Sequence, residues 1–298
     1  MALLSLQHIQ KRYGNYQASN DISFDIPKGK IFGMLGPNGA GKTTLIRMIT
    51  RILYPDSGNI LFNGEPLAER HTEQTGYMPE ERGLYKKMKV GEQLIYLARL
   101  KGLSNSQAKQ AVNGWLEKFN ITSWYNKSID ELSKGMSQKI QFIGTVIHNP
   151  DLLILDEPFS GLDPINSKLI EEEIRQLSLQ GKTIIFSTHR MEQVEEICSD
   201  IVLINKGSKI LEGSVGDLKQ RFKENKFRIS YTGQLNESIV SNLQVVNKAE
   251  GELTVQFGAE HKGNELLRLF VENKVEVTSF NEVLPTINEI FIRQVEAN

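Results

Sequence analysis

Ile22, Phe24 and Ile26 alternate with Ser23 and Asp25, and this period of two predicts a half-buried antiparallel strand. Lys30-Ile31-Phe32-Gly33-Met34-Leu35 is a second strand-like run, and Thr44 to Ile49 reads as the first turns of a helix. From about residue 88 to 148 the texture is mostly helical, including Val90 to Arg99 and Gln107 to Phe119. Leu152-Leu153-Ile154-Leu155 is a short, unbroken apolar run, as expected of a parallel strand covered on both faces. The next helix gathers Ile170, Ile174 and Leu177 on one side. Its Glu171-Glu172-Glu173 run reads as a solvated face without chemistry. Thr183 to Ser187 and Ile201 to Ile204 are two further strands, so strand, helix and strand make a crossover unit of an α/β sheet.

After Leu218 the pattern restarts. Phe227 to Tyr231, Glu252 to Phe257 and Val275 to Phe280 read as short strands, with helices over Asn264 to Asn273 and Thr286 to Val295. The chain therefore divides into a large domain, residues 1–220, and a small α+β domain, residues 221–298. Its length of 298 residues accommodates both.

The formal net charge is −1, balanced on both sides of that boundary. With no concentrated Lys/Arg run, nothing favours nucleic acid as a partner. Cys198 is the one cysteine; it excludes an internal disulfide and suits a reducing compartment. Its helical spacing from Met191 and Val194 predicts a packed, inert thiol. No stretch approaches the roughly 20 apolar residues of a membrane-spanning helix. Met1 to Leu6 lacks the basic region and apolar core of a secretory leader. Any membrane role is expected to come through a separate chain.

The chemistry begins at Gly36-Pro37-Asn38-Gly39-Ala40-Gly41-Lys42-Thr43, followed by Thr44. This fits the G-x-x-x-x-G-K-[ST] phosphate loop, with a strand before it and a helix after it. Glycines let successive backbone N–H groups close around a triphosphate, and the helix N-terminus adds partial positive charge. Lys42 is expected to reach the β and γ phosphates and the Thr43 hydroxyl to hold Mg²⁺. Asp156-Glu157 closes the apolar run beginning at Leu152. It supplies a metal-binding carboxylate, Asp156, and a general base for the attacking water, Glu157.

At this point the chain resembles the nucleotide-binding subunit of an ATP-binding cassette (ABC) transporter, over nearly all of residues 3–218. Leu132-Ser133-Lys134-Gly135-Met136 resembles the family signature, usually LSGGQ, and continues with Ser137-Gln138-Lys139. Ser160-Gly161-Leu162-Asp163-Pro164 resembles the D-loop and Ser187-Thr188-His189 the switch-histidine motif. Tyr13 sits where the family places a ring that stacks on adenine, and Gly76-Tyr77-Met78-Pro79-Glu80 occupies the Q-loop. The resemblance implies a P-loop NTPase fold with a mixed sheet core, an antiparallel β subdomain and a helical subdomain. It also implies two subunits, most simply a homodimer, that sandwich ATP and Mg²⁺. Ser133 and Gly135 would face the γ-phosphate held by the other subunit. His189 would contact that phosphate in its own subunit, and Asp163 would couple the two sites.

Three residues depart from the usual pattern: Glu80 for glutamine, Lys134 for glycine and Met136 for glutamine. Glu80 can still meet Mg²⁺ or its water. The stretch from Met78 to Tyr85 resembles a prokaryotic branch of ABC-2 export type, annotated for sodium or drug efflux, with a small C-terminal domain and an ending like Pro285 to Ile292. That branch implies a peripheral ATPase on the inner face of the membrane, docked to a separate permease chain. About residues 77–130 would form the docking groove, with Tyr85, Met88, Leu94 and Leu97 as candidate contacts or core. An importer ATPase and a soluble mechanical ATPase are the alternatives. The C-terminal unit is read as regulatory, dimer-supporting or inhibitory.

Overall fold

The computed structural model describes residues 1–81, 83–233, 235, 243–258 and 263–296. Arg82, part of the stretch that suggests the exporter branch, lies outside them.

Contacts divide the chain between Ser214 and Val215. The larger unit opens with a long hairpin of β1 (Ala2–Tyr13) and β2 (Tyr16–Pro27). β3 (Ile31–Leu35) then runs through the phosphate loop into α1 (Lys42–Ile49). β4 (Ser57–Phe62) and β5 (Glu65–Pro66) return to the hairpin and complete an antiparallel sheet in the order β2-β1-β4-β5.

β6 (Thr75–Met78) leads to a helical segment made of α2 (Val90–Leu100), α3 (Asn105–Lys118) and α4 (Lys134–Val146). Ser104 and Gln107 cap α3 reciprocally: the Ser104 hydroxyl accepts from Gln107 N–H at 3.3 Å, and Gln107 Oε1 accepts from Ser104 N–H at 2.9 Å. The chain re-enters the core as β7 (Leu152–Asp156), α5 (Pro164–Leu179), β8 (Thr183–Thr188) and α6 (Met191–Ile197). β9 (Asp200–Asn205) and β10 (Ser208–Ser214) close a mixed sheet in the order β10-β9-β3-β8-β7-β6. Its first pair is antiparallel and the others are parallel.

Every residue of β3, β7 and β8 is buried, which is why their sequences are unbroken apolar runs rather than alternations. Leu4, Leu6 and Ile9 on β1, Ile22 and Ile26 on β2, and Leu45 and Ile46 on α1 join Leu152 and Ile154 in one core. The period-two reading of β2 thus marks the face turned toward that core.

The Glu171–Glu173 run is not wholly a solvated face. Glu171 is paired along the helix with Arg175, but Glu173 is buried and lies 2.6 Å from Lys118 Nζ on α3. That ammonium also stands 4.9 Å from the Trp115 ring. Glu173 stands three residues after Ile170 and four before Leu177, so the helical spacing already puts it on the apolar side; what the spacing does not supply is its partner on α3. Replacing Lys118 by Met leaves the Glu173 charge buried without its partner. Because half of Lys118 is in water, the expected loss is about 1–2 kcal/mol, read as a lower urea midpoint. An unchanged midpoint would show the pair to be a surface contact.

Cys198 is buried, and burial pushes its thiol well above the reactive range, as expected of an inert packed residue.

The smaller unit begins with α7 (Val215–Arg221), which the sequence pattern had assigned to the larger domain. β11 (Lys226–Thr232), β12 (Gln244–Ala249), β13 (Glu252–Gln256), α8 (Gly263–Glu272), β14 (Glu276–Val283) and α9 (Ile287–Glu296) follow. All pairings in the sheet β12-β13-β11-β14 are antiparallel. Ile229, Leu253 and Val255 pack with Leu266 and Phe270 of α8, and Phe227 stacks on Phe280. Glu224 pairs with both Lys226 and Arg293. Among the described residues no helix is long and apolar enough to cross a membrane.

Candidate nucleotide and catalytic site

Between β3 and α1 the backbone takes conformations that side chains resist. Gly36 has φ +148°, and a Cβ there would lie 2.1 Å from the Ile204 carbonyl oxygen. Gly41 caps α1 at φ +106°, with a Cβ position 2.3 Å from the Ala18 carbonyl oxygen. The loop is a cradle that only bare backbone can form at these two positions. Lys42 is buried at the first position of α1, and its Nζ donates to Gly36 O at 2.6 Å and Pro37 O at 3.2 Å. Burial lowers its pKa, opposed by the fields of Glu157, Asp156 and Glu80.

A cavity of about 350 Å³ opens on this cradle, bounded by Asn38, Gly39, Ala40, Gly41, Lys42, Thr43 and Thr44. Tyr16, Glu80, Asp156 and Glu157 form the rest of the wall. Asp156 ends β7 and is buried, which raises its pKa; a cation beside it would offset that cost. Thr43, Asp156 and Glu80 bring a hydroxyl and two carboxylates to one cavity. Hard oxygen donors of this kind suit Mg²⁺, which keeps several waters and takes phosphate oxygens as further ligands. No group of three or more His, Cys, Asp or Glu able to hold a metal occurs among the described residues. One hydroxyl and two carboxylates leave positions around such a cation that phosphate oxygens and water would fill.

Glu157 follows directly, at φ +50°. Its N–H donates to Ser187 O at 2.9 Å. Its Oε1 accepts from the His189 backbone N–H at 2.9 Å and lies 2.6 Å from His189 Nδ1. Thr188 Oγ1 donates to Oε2 at 3.1 Å and accepts from Arg190 N–H. The structure thus brings Glu157 and His189 together across neighbouring strand ends. Thr188 carries no mark of its own in the sequence beyond its place at the end of β8, directly before His189.

Tyr13 and Tyr16 face each other across the hairpin turn. Tyr13 is 46% exposed, with Lys11 Nζ 5.7 Å from its ring centroid, and does not line the cavity. Tyr16 does, and its hydroxyl donates to Gly39 O at 2.8 Å. The second aromatic of Tyr13-Gly14-Asn15-Tyr16 is the one that the turn carries to the phosphate loop.

Ser133, Gly135 and Asp163 are not on the wall of this cavity. The Ser133 hydroxyl accepts from Met136 N–H and caps α4. Gly135 lies against Leu162, 3.5 Å from the position its Cβ would take, so signature and D-loop are side by side. Asp163 caps α5 by accepting from Asn166 N–H at 2.9 Å. That bond and the Asn166 side chain hold its carboxyl below the usual range.

Residues 19–160 match the family model described as ABC transporter, and residues 213–295 match that of the ATP-binding protein DrrA1-3-like, C-terminal domain. The uncharacterized ABC transporter ATP-binding protein YhaQ of Bacillus subtilis (strain 168) is 42% identical over 297 residues, 99% of each chain. Nod factor export ATP-binding protein I of Burkholderia thailandensis is 38% identical over 217 residues, covering 72% of this chain and 71% of that protein. A solved ATP-binding subunit of an ABC transporter superposes with a TM-score of 0.69 at 30% identity, covering 74% of this chain and 93% of the other. A relative matched over 99% of each chain and a solved subunit of the same fold lead to one conclusion: the chain belongs to the ATP-binding subunits of ABC transporters, a family that binds and hydrolyses ATP.

Proposed function

We propose that this chain is the ATPase of an ABC exporter, acting as one of two identical subunits on the cytoplasmic face of a membrane and docked to a separate permease chain. The observation that carries the reading is the split of the site. Phosphate cradle, carboxylates and His189 surround one cavity, while Ser133, Gly135 and Asp163 form a second group away from it. Each half lacks what the other supplies, so a second copy arranged head to tail completes both. Outward transport is supported by the likeness to Nod factor export ATP-binding protein I.

In this reading Lys42 exchanges its loop carbonyls for β and γ phosphate oxygens. Thr43, Asp156 and Glu80 would hold Mg²⁺, which when bound would neutralise charge at the phosphates. Glu157 takes the proton of the attacking water, oriented by the Thr188 hydroxyl and the His189 N–H. His189 turns from the Glu157 carboxylate toward the γ-phosphate as the dimer closes. Ser133 and Gly135 offer a hydroxyl and helix-terminal amides to the partner's γ-phosphate.

Docking to the permease uses the groove of about 300 Å³ between Pro79, Leu84, Leu97, Leu100 and His148. Leu97 lines it, whereas Leu94 is fully buried core; Tyr85 is exposed and packs edge-on against Tyr96. Affinity purification of the Glu157→Gln protein with ATP from detergent-solubilised membranes is expected to recover a stoichiometric polytopic membrane protein. Adding Leu100→Asp and Tyr85→Ala, both at exposed positions, should release it by about tenfold or more, since a buried charge and a lost aromatic anchor each cost over 1 kcal/mol. Recovery only from the soluble fraction, or with ribosomes or DNA, overturns the transporter reading.

A further inference from the structure

Helix α4 carries a buried polar stripe that neither the cradle nor the signature accounts for. Gln138 and Gln141 are 2% and 6% exposed. Gln138 Nε2 donates to Pro158 O at 2.9 Å and stands 3.5 Å from Glu157 O. Gln141 Nε2 donates to Pro79 O at 2.7 Å and stands 3.5 Å from Glu81 O. Each amide therefore grips the backbone at a carboxylate that lines the nucleotide cavity: Glu157 itself in one case, the residues flanking Glu80 in the other.

The spacing explains why one helix can do both. Glu157 follows the end of β7 and Glu80 the end of β6, and these are neighbouring parallel strands. Paired strands lie about 4.8 Å apart. Residues three apart on a helix share a face and are about 4.5 Å apart along its axis. Two glutamines at this interval meet two adjacent strand ends, one each. An apolar pair would pack as well but would leave the carbonyls unpaired.

We propose that Gln138 and Gln141 are positioning residues that fix the strand-end turns bearing Glu157 and Glu80, so that α4, with Ser133 at its tip, sets the aim of both carboxylates. The inference rests on the assignment of Glu157 as base and Glu80 at Mg²⁺. Engagement of Ser133 by the partner's nucleotide then acts on the catalytic carboxylates of the same chain through a rigid helix. Any movement of α4 reaches both turns together.

The test uses the full-length protein with Gln138→Met and Gln141→Met, which keep length and bulk but cannot donate. Gln138→Met is expected to lower kcat about tenfold, with the KM for ATP changed by no more than about twofold. Gln141→Met is expected to raise, about tenfold, the Mg²⁺ concentration at half-maximal binding of a fluorescent ATP analogue. A packing role alone would lower the melting temperature without this split. If either Met variant does not fold, Gln138→Asn and Gln141→Asn, which withdraw the amide by one methylene, are read by the same two quantities. Folded variants with wild-type kcat and wild-type Mg²⁺ dependence overturn the proposal. Glu157→Gln measured alongside separates the two levels: if it is inactive while the glutamine variants are normal, only the positioning role is lost. If it turns over like wild type, the base assignment falls, and Gln138's role with it.

Discussion

Glu157→Gln is expected to lower ATP turnover by about 10²–10⁴-fold, the usual worth of a positioned general base, while leaving ATP binding intact. The substitution keeps the size and shape of the side chain. Its carbonyl oxygen can still accept from His189 N–H or Thr188 Oγ1, the donors that hold the carboxylate. What is lost is the capacity to take a proton from water. Lys42, Thr43 and the glycines of the cradle are untouched, so nucleotide affinity should stay within about threefold. With hydrolysis stalled and both phosphate-binding halves engaged, ATP should hold two subunits together, and size-exclusion chromatography should show an ATP-dependent dimer. Turnover at the wild-type rate would remove Glu157 from the role of base. A monomer at saturating ATP, with Ser133 intact, would count against the two-subunit site.

The second large effect is expected at Gly41. A methyl group there would sit 2.3 Å from the Ala18 carbonyl oxygen, on a backbone at φ +106°. Neither neighbour is the end of a flexible side chain, so Gly41→Ala must shift the start of α1 or the β2 strand. Strain of this kind costs about 1–3 kcal/mol before the clash is counted. The displaced N–H groups are those that would meet the phosphates, so ATP affinity should fall by about 100-fold or more. Gly39→Ala is the control. Its φ is +79°, but no protein atom lies within 4 Å of the added carbon, so a conformational cost to folding of about 1 kcal/mol is expected, without displacement of α1. Thermal denaturation and nucleotide titration of the pair decide the matter: equal, mild effects would mean that the cradle is not the rigid element described above.

Much of the larger unit is legible along the chain because burial leaves a simple trace there. β7 and β8 are covered on both faces, and their apolar runs are unbroken; the β2 hairpin strand turns one face inward, and it alternates. The phosphate loop is legible for a different reason, since its glycines and Lys42 are tied to fixed positions by backbone geometry. Where a residue's role depends on which neighbour folds against it, the linear pattern is silent. Helical spacing puts Glu173 on the side of Ile170 and Leu177, but that a lysine meets it there is not visible until α3 places Lys118 beside it. Tyr16 cannot be told from Tyr13 until the hairpin turn is drawn. Gln138 reads as part of the polar continuation of the signature and Gln141 leaves no mark at all, and only the adjacency of two strand ends brings them together. β12 is short, and its residues are mostly exposed, so it leaves no periodic mark.

Glu157 sits in the left-handed region, where a side chain beyond glycine or asparagine is disfavoured by about 1–2 kcal/mol. Glycine or asparagine at this position would relax the backbone at the end of β7 and, on the proposed role of Glu157 as base, leave the site idle. Selection for heat resistance alone, with turnover left unscreened, would therefore drift away from glutamate here. Thermal robustness and work thus pull in opposite directions at the residue that bonds to both Thr188 and His189, and a stabilised version of this ATPase has to find its gains elsewhere in the fold.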